Sequence, residues 1–170
     1  MQIWNLIHKS FWSFIGLLVF NIAQAETLTG RVVSVIDGDT IRVVDLQKRQ
    51  HKIRLVGIDA PEKTQPYGNF CRNVLHEVLR DKMVDVIWKN TDQYGRILGT
   101  VVLDGGNVNL RMIMDGCAWF YRKCEEELPE HIRDLYQEEE KNAFLNERNL
   151  WKDKTPIPPW QYRYEQRNRQ

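Results

Sequence analysis

The chain has 170 residues, 24 of them Lys or Arg and 23 Asp or Glu, a length suited to one domain with a real core. Its three cysteines include no Cys-x-x-Cys spacing, which excludes a zinc knuckle and a thioredoxin-type site. The net charge of +1 hides a division: residues 27–124 carry 15 bases against 11 acids, and residues 125–140 hold eight acids and one base. Such a body is compatible with a polyanionic substrate without being evidence for one.

Residues 1–25 read as a signal peptide. His8 and Lys9 precede the apolar run FWSFIGLLVFNIA, and Ala23-Gln24-Ala25 supplies the small-x-small pattern that a signal peptidase reads. The mature chain is therefore expected to start at Glu26, secreted or periplasmic, as a monomer without stable membrane association, because the run is short for a span. A retained anchor is the alternative. In an oxidising compartment Cys71, Cys117 and Cys124 make an odd count. The pair bracketing a short apolar segment, Cys117 and Cys124, is the expected disulfide, leaving Cys71 free.

Residues 28–58 predict three strands, rich in Val and Ile and broken by Asp37-Gly38 and by QKRQ. Short loops make them an antiparallel meander, with Asp37-Gly38 as a hairpin turn in which Gly38 takes a positive φ. The loop DAPEKTQPYG leads to a helix over 69–80, whose apolar positions Phe70, Val74, Leu75, Val78 and Leu79 recur at helical steps. Two strands follow, over 83–89 and 96–103, around NTDQYG. NVNLRMIMDG predicts a helix stopped by Gly116, and CAWFY is short and apolar. Pro129 opens a helix over 130–146 with Ile132, Leu135, Tyr136, Ala143 and Phe144 as its buried face. Residues 153–170 read as a Pro-rich, then polar tail that packs Trp160 or trails off.

Five strands with a helix between the third and fourth predict an α+β domain over 26–152, an OB-fold five-stranded β-barrel with about three helices. Within it IRLVGIDAPE places Asp59 at a strand end and Glu62 three residues on, beyond Pro61. The proline ring stiffens the relation between the two carboxylates. Arg54 lies five residues before Asp59, so a regular strand would put it on the opposite face; a twist or bulge near Gly57 is needed to unite them. The meander lets Asp39 face the end of the third strand near Asp59. Two carboxylates there would repel without a proton or cation, and oxygen-only ligands favour a hard ion such as Ca²⁺. An EF-hand is excluded, since Ile41 and Arg42 stand at the fifth and sixth positions of the loop.

VIDGDTIRV, RLVGIDAPE and DQYGR, in this order and spacing, resemble the staphylococcal nuclease (thermonuclease) family over residues 28–151. The resemblance implies a Ca²⁺-dependent nuclease acting on DNA and RNA with little sequence preference. It makes Asp39, Asp59 and the backbone carbonyl of Ala60 the calcium ligands, with Asp37 a nearby supporting acid. It makes Glu62 the carboxylate that orients or deprotonates water, and Arg54 and Arg96 the arginines that hold the scissile phosphate. Tyr94 and Tyr121 match nucleotide-contacting tyrosines, whereas Trp119 and Phe120 read as core. The family's founding member has Thr where Ala60 stands and Lys where Gln93 stands; the first change spares a backbone ligand, and the second removes a phosphate neighbour. The competing expectation is a non-catalytic OB-fold module that binds single-stranded nucleic acid or another polyanion.

Overall fold

The computed structural model describes residues 25–169; the expected signal peptide, apart from Ala25, lies outside the described residues. Strands β1 (Glu26–Val35), β2 (Thr40–Asp45) and β3 (Gln50–Leu55) form the antiparallel meander. Alternation, shifted by one residue within β1, sends Val32, Val35, Ile41, Val43, Ile53 and Leu55 inward, and all six are buried. A bulge between Val32 and Ser34 lets β1 bend. After β3 the two-residue β4 (Ile58–Asp59) begins, then α1 (Gly68–Leu79), β5 (Met83–Thr91) and β6 (Ile97–Leu103). The sheet runs β3-β2-β1-β5-β6, and a parallel β3–β6 seam, with Ile53 opposite Ile97 and Leu55 opposite Gly99, closes it into a five-stranded barrel. This is the expected OB-fold.

The short β7 (Gly106–Asn107) leads into α2 (Val108–Met114), whose first turn is capped by Asn107 accepting from the Leu110 amide at 3.0 Å. On α2, Asn109 is wholly buried and fully bonded. Its Oδ1 accepts from the Val101 amide, while its Nδ2 donates to the carbonyls of Gly99 and Val56. One side chain thus ties strand β6 to the turn that follows β3. Strand β8 (Trp119–Phe120) pairs with β4, and α3 (Glu130–Leu145) packs behind it.

Two helix faces differ from expectation. On α1 the buried stripe is Cys71, Leu75 and Leu79, while Phe70 is exposed and meets only the edge of Tyr67. On α3 only Tyr136 and Ala143 are buried; Leu135 and Phe144 are exposed, Phe144 leaning its ring on Trp151. On α1 the fully buried positions follow an i, i+4, i+8 ridge flanked by the partly buried Val74 and Val78, and on α3 they lie seven apart, with Ile132 partly buried against the core.

The expected Cys117–Cys124 disulfide is absent. All three cysteines are free thiols, and the neighbouring Cys71 thiol in the core, together with burial, raises the Cys117 pKa far above the ordinary thiol range. The β4–β8 pairing separates Cys117 from Cys124, which falls on the 3-10 turn Arg122–Glu127. The C-terminal region also differs, because α4 (Pro159–Asn168) forms there. Pro159 at its first turn supplies a preset helical φ. The helix is docked: Gln65 Nε2 donates to Ile157 O at 2.5 Å, Tyr162 Oη donates to Thr64 O at 3.2 Å, and Trp160 packs against Trp119 and Tyr121. Among the described residues no helix is long and apolar enough to cross a membrane.

Candidate active site

Asp39 ends the β1–β2 turn, and that turn does not work as expected. Gly38 does not take a positive φ. Glycine is required there by proximity, since a Cβ at residue 38 would lie 2.6 Å from the Cβ of Ala60. The close approach seats the turn on the loop after β4. Asp39 Oδ2 then accepts the Ala60 amide at 2.7 Å, Oδ1 accepts Thr40 Oγ1 at 3.0 Å, and the Asp39 amide donates to Asp37 Oδ1 at 3.1 Å.

The face problem of Arg54 is solved by the break between β3 and β4. Val56 and Gly57 form a turn, Gly57 at φ 76°, and the chain resumes with its alternation reset. Arg54 therefore bridges both acids, its Nη1 3.1 Å from Asp39 Oδ2 and its Nη2 2.9 Å from Asp59 Oδ1. Asp59 is 1% exposed.

These groups line a cleft of about 660 Å³ that also receives Ala60, Glu62, Tyr94, Arg96 and Tyr121. Tyr94 and Arg96 come from the β5–β6 turn, organised by Asp92. Its Oδ1 accepts the amides of Tyr94 and Arg96, both at 2.9 Å, and its Oδ2 takes Arg96 Nε at 2.6 Å. Burial raises the Asp92 pKa, but these bonds outweigh it and hold the carboxyl below its usual value. The Arg96 guanidinium lies over the Tyr94 ring, 5.6 Å from its centroid. Tyr121 sits deeper, its ring tilted 38° against Trp160 at 5.5 Å, so part of its face is already covered. Burial, and then the charge of Asp59, raise its pKa. Gln93, the expected departure, also lines the cleft.

The residue that the sequence reading missed is Arg163. From α4 its Nη2 reaches Asp59 Oδ2 at 2.8 Å, and its Nη1 reaches Asp59 Oδ1 at 3.2 Å and Glu62 Oε1 at 2.7 Å. Arg167, one turn on, lines the same cleft. The signal was present in PPWQYRYEQR: two prolines that can open a helix, then arginines four apart on one face.

Comparison with known proteins gives the family of the chain. The profile described as staphylococcal nuclease homologue matches residues 52–153. An uncharacterized endonuclease of Escherichia coli is 44% identical over 136 residues, covering 79% of this chain and 84% of that relative. The chain belongs to the staphylococcal nuclease family. The chain is also similar to the Protein ParB of Escherichia coli, 40% identical over 162 residues (90% of this chain, 88% of the relative), and to a micrococcal nuclease of Shigella flexneri, 32% identical over 161 residues (89% and 90%).

The electrostatics of this family cleft bear on a cation. Burial, and then the neighbouring Asp39, push the Asp37 pKa up to about 7. Burial raises that of Asp59 despite hydrogen bonds from Arg163, and Asp39 adds to the rise. Burial and the neighbouring carboxylate thus disfavour the ionised form of both acids. That is the condition a hard divalent ion relieves, and carboxylate and carbonyl oxygens are its preferred donors. Among the described residues no three His, Cys, Asp or Glu side chains converge as a ready metal cage. Asp39, Asp59 and Ala60 line the same cleft, and their carboxylate and carbonyl oxygens are of the kind a hard ion takes, with water as the remaining ligands.

Proposed function

We propose that this protein is an exported, Ca²⁺-dependent nuclease that hydrolyses phosphodiester bonds in DNA and RNA with little sequence preference. The observation that carries the reading is Arg54, a guanidinium held between Asp39 and Asp59 with Glu62 on the same cleft. A module that only bound polyanions would have no use for carboxylates gathered beside a phosphate-binding arginine. Family membership supports the nuclease reading, as do relatives named endonuclease and micrococcal nuclease.

Asp39, Asp59 and the Ala60 carbonyl would hold Ca²⁺, which when bound polarises a phosphoryl oxygen and neutralises its charge. The rest falls to the side chains. Arg54 and Arg96 grip non-bridging phosphate oxygens through forked N–H donors, which orient phosphorus and stabilise charge as it develops. Glu62 orients a water or takes its proton as oxygen attacks phosphorus; the P–O bond to the leaving group breaks, and that oxygen gains a proton. Tyr94, exposed at the cleft, stacks a base without reading its sequence.

The test uses the purified chain with single-stranded DNA or RNA, in Ca²⁺ and in chelator. Cleavage in Ca²⁺ that stops in chelator is expected. Tight binding without cleavage in either condition would overturn the reading in favour of the polyanion-binding module. Calorimetric titration of Asp39→Ala adds a second arm, where Ca²⁺ binding is expected to be lost from a folded protein.

A further inference from the structure

Arg163 enters the cleft from α4, beside Arg54 and Arg96 from the barrel strands and their turn. Its guanidinium is bonded to both oxygens of Asp59 and to Oε1 of Glu62, so it occupies acceptor sites on the acid assigned to the cation and on the acid assigned to water. Arg54 takes a further site on Asp59. A divalent ion approaching Asp59 thus meets two positive groups already seated, and one must give way.

Arg54 is the fixed one. It stands on barrel strand β3, its side chain is 13% exposed, and it also donates to the Leu55 carbonyl. Arg163 is 36% exposed and belongs to a terminal helix. That helix is held by contacts which do not involve Arg163: Gln65 to Ile157, Tyr162 to Thr64, and Trp160 against Tyr121. The side chain can therefore leave the carboxylates while α4 remains docked.

We propose that Arg163 is a built-in counter-cation that sets how tightly the cleft binds a divalent metal. Bonded to Asp59 and Glu62, it neutralises both and makes the buried Asp59 tolerable to the fold. On metal binding it releases Asp59 to the ion and frees Glu62 for water. The proposal rests on the reading that Asp39 and Asp59 hold Ca²⁺.

The experiment is calorimetric titration of the full metal-free chain with Ca²⁺ alone, without nucleic acid. Arg163→Gln is expected to bind Ca²⁺ at least about tenfold tighter than wild type, the order by which one adjacent charge shifts a carboxylate's preference for a cation. Arg163→Lys, which keeps a charge but loses the fork, is expected to fall between them. Arg169→Gln removes a charge from the end of α4, and is expected to leave affinity unchanged. Near-ultraviolet circular dichroism reports whether the Trp160 packing persists, and if the Gln variant loses it, the Lys variant decides. Ca²⁺ binding by wild type with no tightening in the Arg163 variants would overturn the counter-cation and spare the metal reading. Equal tightening by Arg169→Gln would overturn it as a mere effect of net charge. No Ca²⁺ binding by any variant would overturn both.

Discussion

Asp59 is 1% exposed and bonded to arginines from two separate elements, whereas Tyr94, on the same cleft, is 75% exposed and held by one local turn. Asp39 and Arg54 belong to the barrel and Asp59 to the β4–β8 pair that continues it: Leu55 donates to the Asp39 carbonyl at 2.8 Å, and Thr40 lies opposite Arg54 in the ladder. Tyr94 and Arg96 are organised by Asp92 alone, within five residues of sequence. In the first region fold and chemistry share the same bonds. In the second the chemistry is mounted on a detachable turn, so the two regions should respond differently to damage.

The sharpest contrast is between two arginine-to-lysine substitutions. Both Arg54→Lys and Arg96→Lys are expected to lower turnover by about 10²-fold or more, as for the loss of one preorganised electrostatic donor. Arg54→Lys should also cost about 1–3 kcal/mol of stability, because a buried carboxylate loses a partner, while Arg96→Lys should stay within about 0.5 kcal/mol. Denaturant melts beside steady-state cleavage would separate the two. Equal stability losses would break the distinction between barrel-borne and turn-borne groups.

A smaller effect tests the acidic region by pH. With the Asp37 pKa raised to about 7 by burial and by Asp39, the folded state keeps a proton that the unfolded chain gives up near pH 4. Stability from this group is full below about pH 4 and is lost as pH rises through 7. In chelator, Asp37→Asn should therefore stabilise the protein by about 2 kcal/mol at pH 8 and by little at pH 4. An equal effect at both pH values would show that Asp37 ionises normally. The smallest effect belongs to Tyr94→Ala, expected to weaken single-stranded substrate binding by about 1 kcal/mol with an unchanged melting curve. A shifted melt would mean that the turn is less independent of the barrel than its contacts indicate.

The legibility of these regions in the sequence follows the same division. The meander and barrel could be read because Val and Ile alternate between short turns, and the acids because Asp39 and Asp59 sit where strands begin or end. The alignment of Arg54 with Asp59 needed a chain reversal at Gly57 that alternation alone denies. Gly38 was assigned the wrong physical reason: a dipeptide pattern signals turn chemistry but cannot show that Ala60, 22 positions on, presses against it. Arg163 was hidden by its own neighbourhood: Trp160 does pack, against Trp119 and Tyr121, but the prolines and charges around it did not announce the helix that aims Arg163 at the cleft. Long-range packing of this kind leaves no periodicity in the local sequence.

The buried Asn109 bears on how the molecule fails when heated. Its amide nitrogen is shared between the Gly99 carbonyl on β6 and the Val56 carbonyl in the turn that reunites Arg54 with Asp59. The seam and the floor of the cleft therefore share a fastening, reinforced by the Val56 amide, which also donates to the Gly99 carbonyl. Unzipping β3 from β6 would let that turn relax and scatter the arginine and its acids together. Heating should thus produce no long-lived form that keeps its barrel but has lost its cleft: cleavage and the main thermal transition should disappear over the same few degrees.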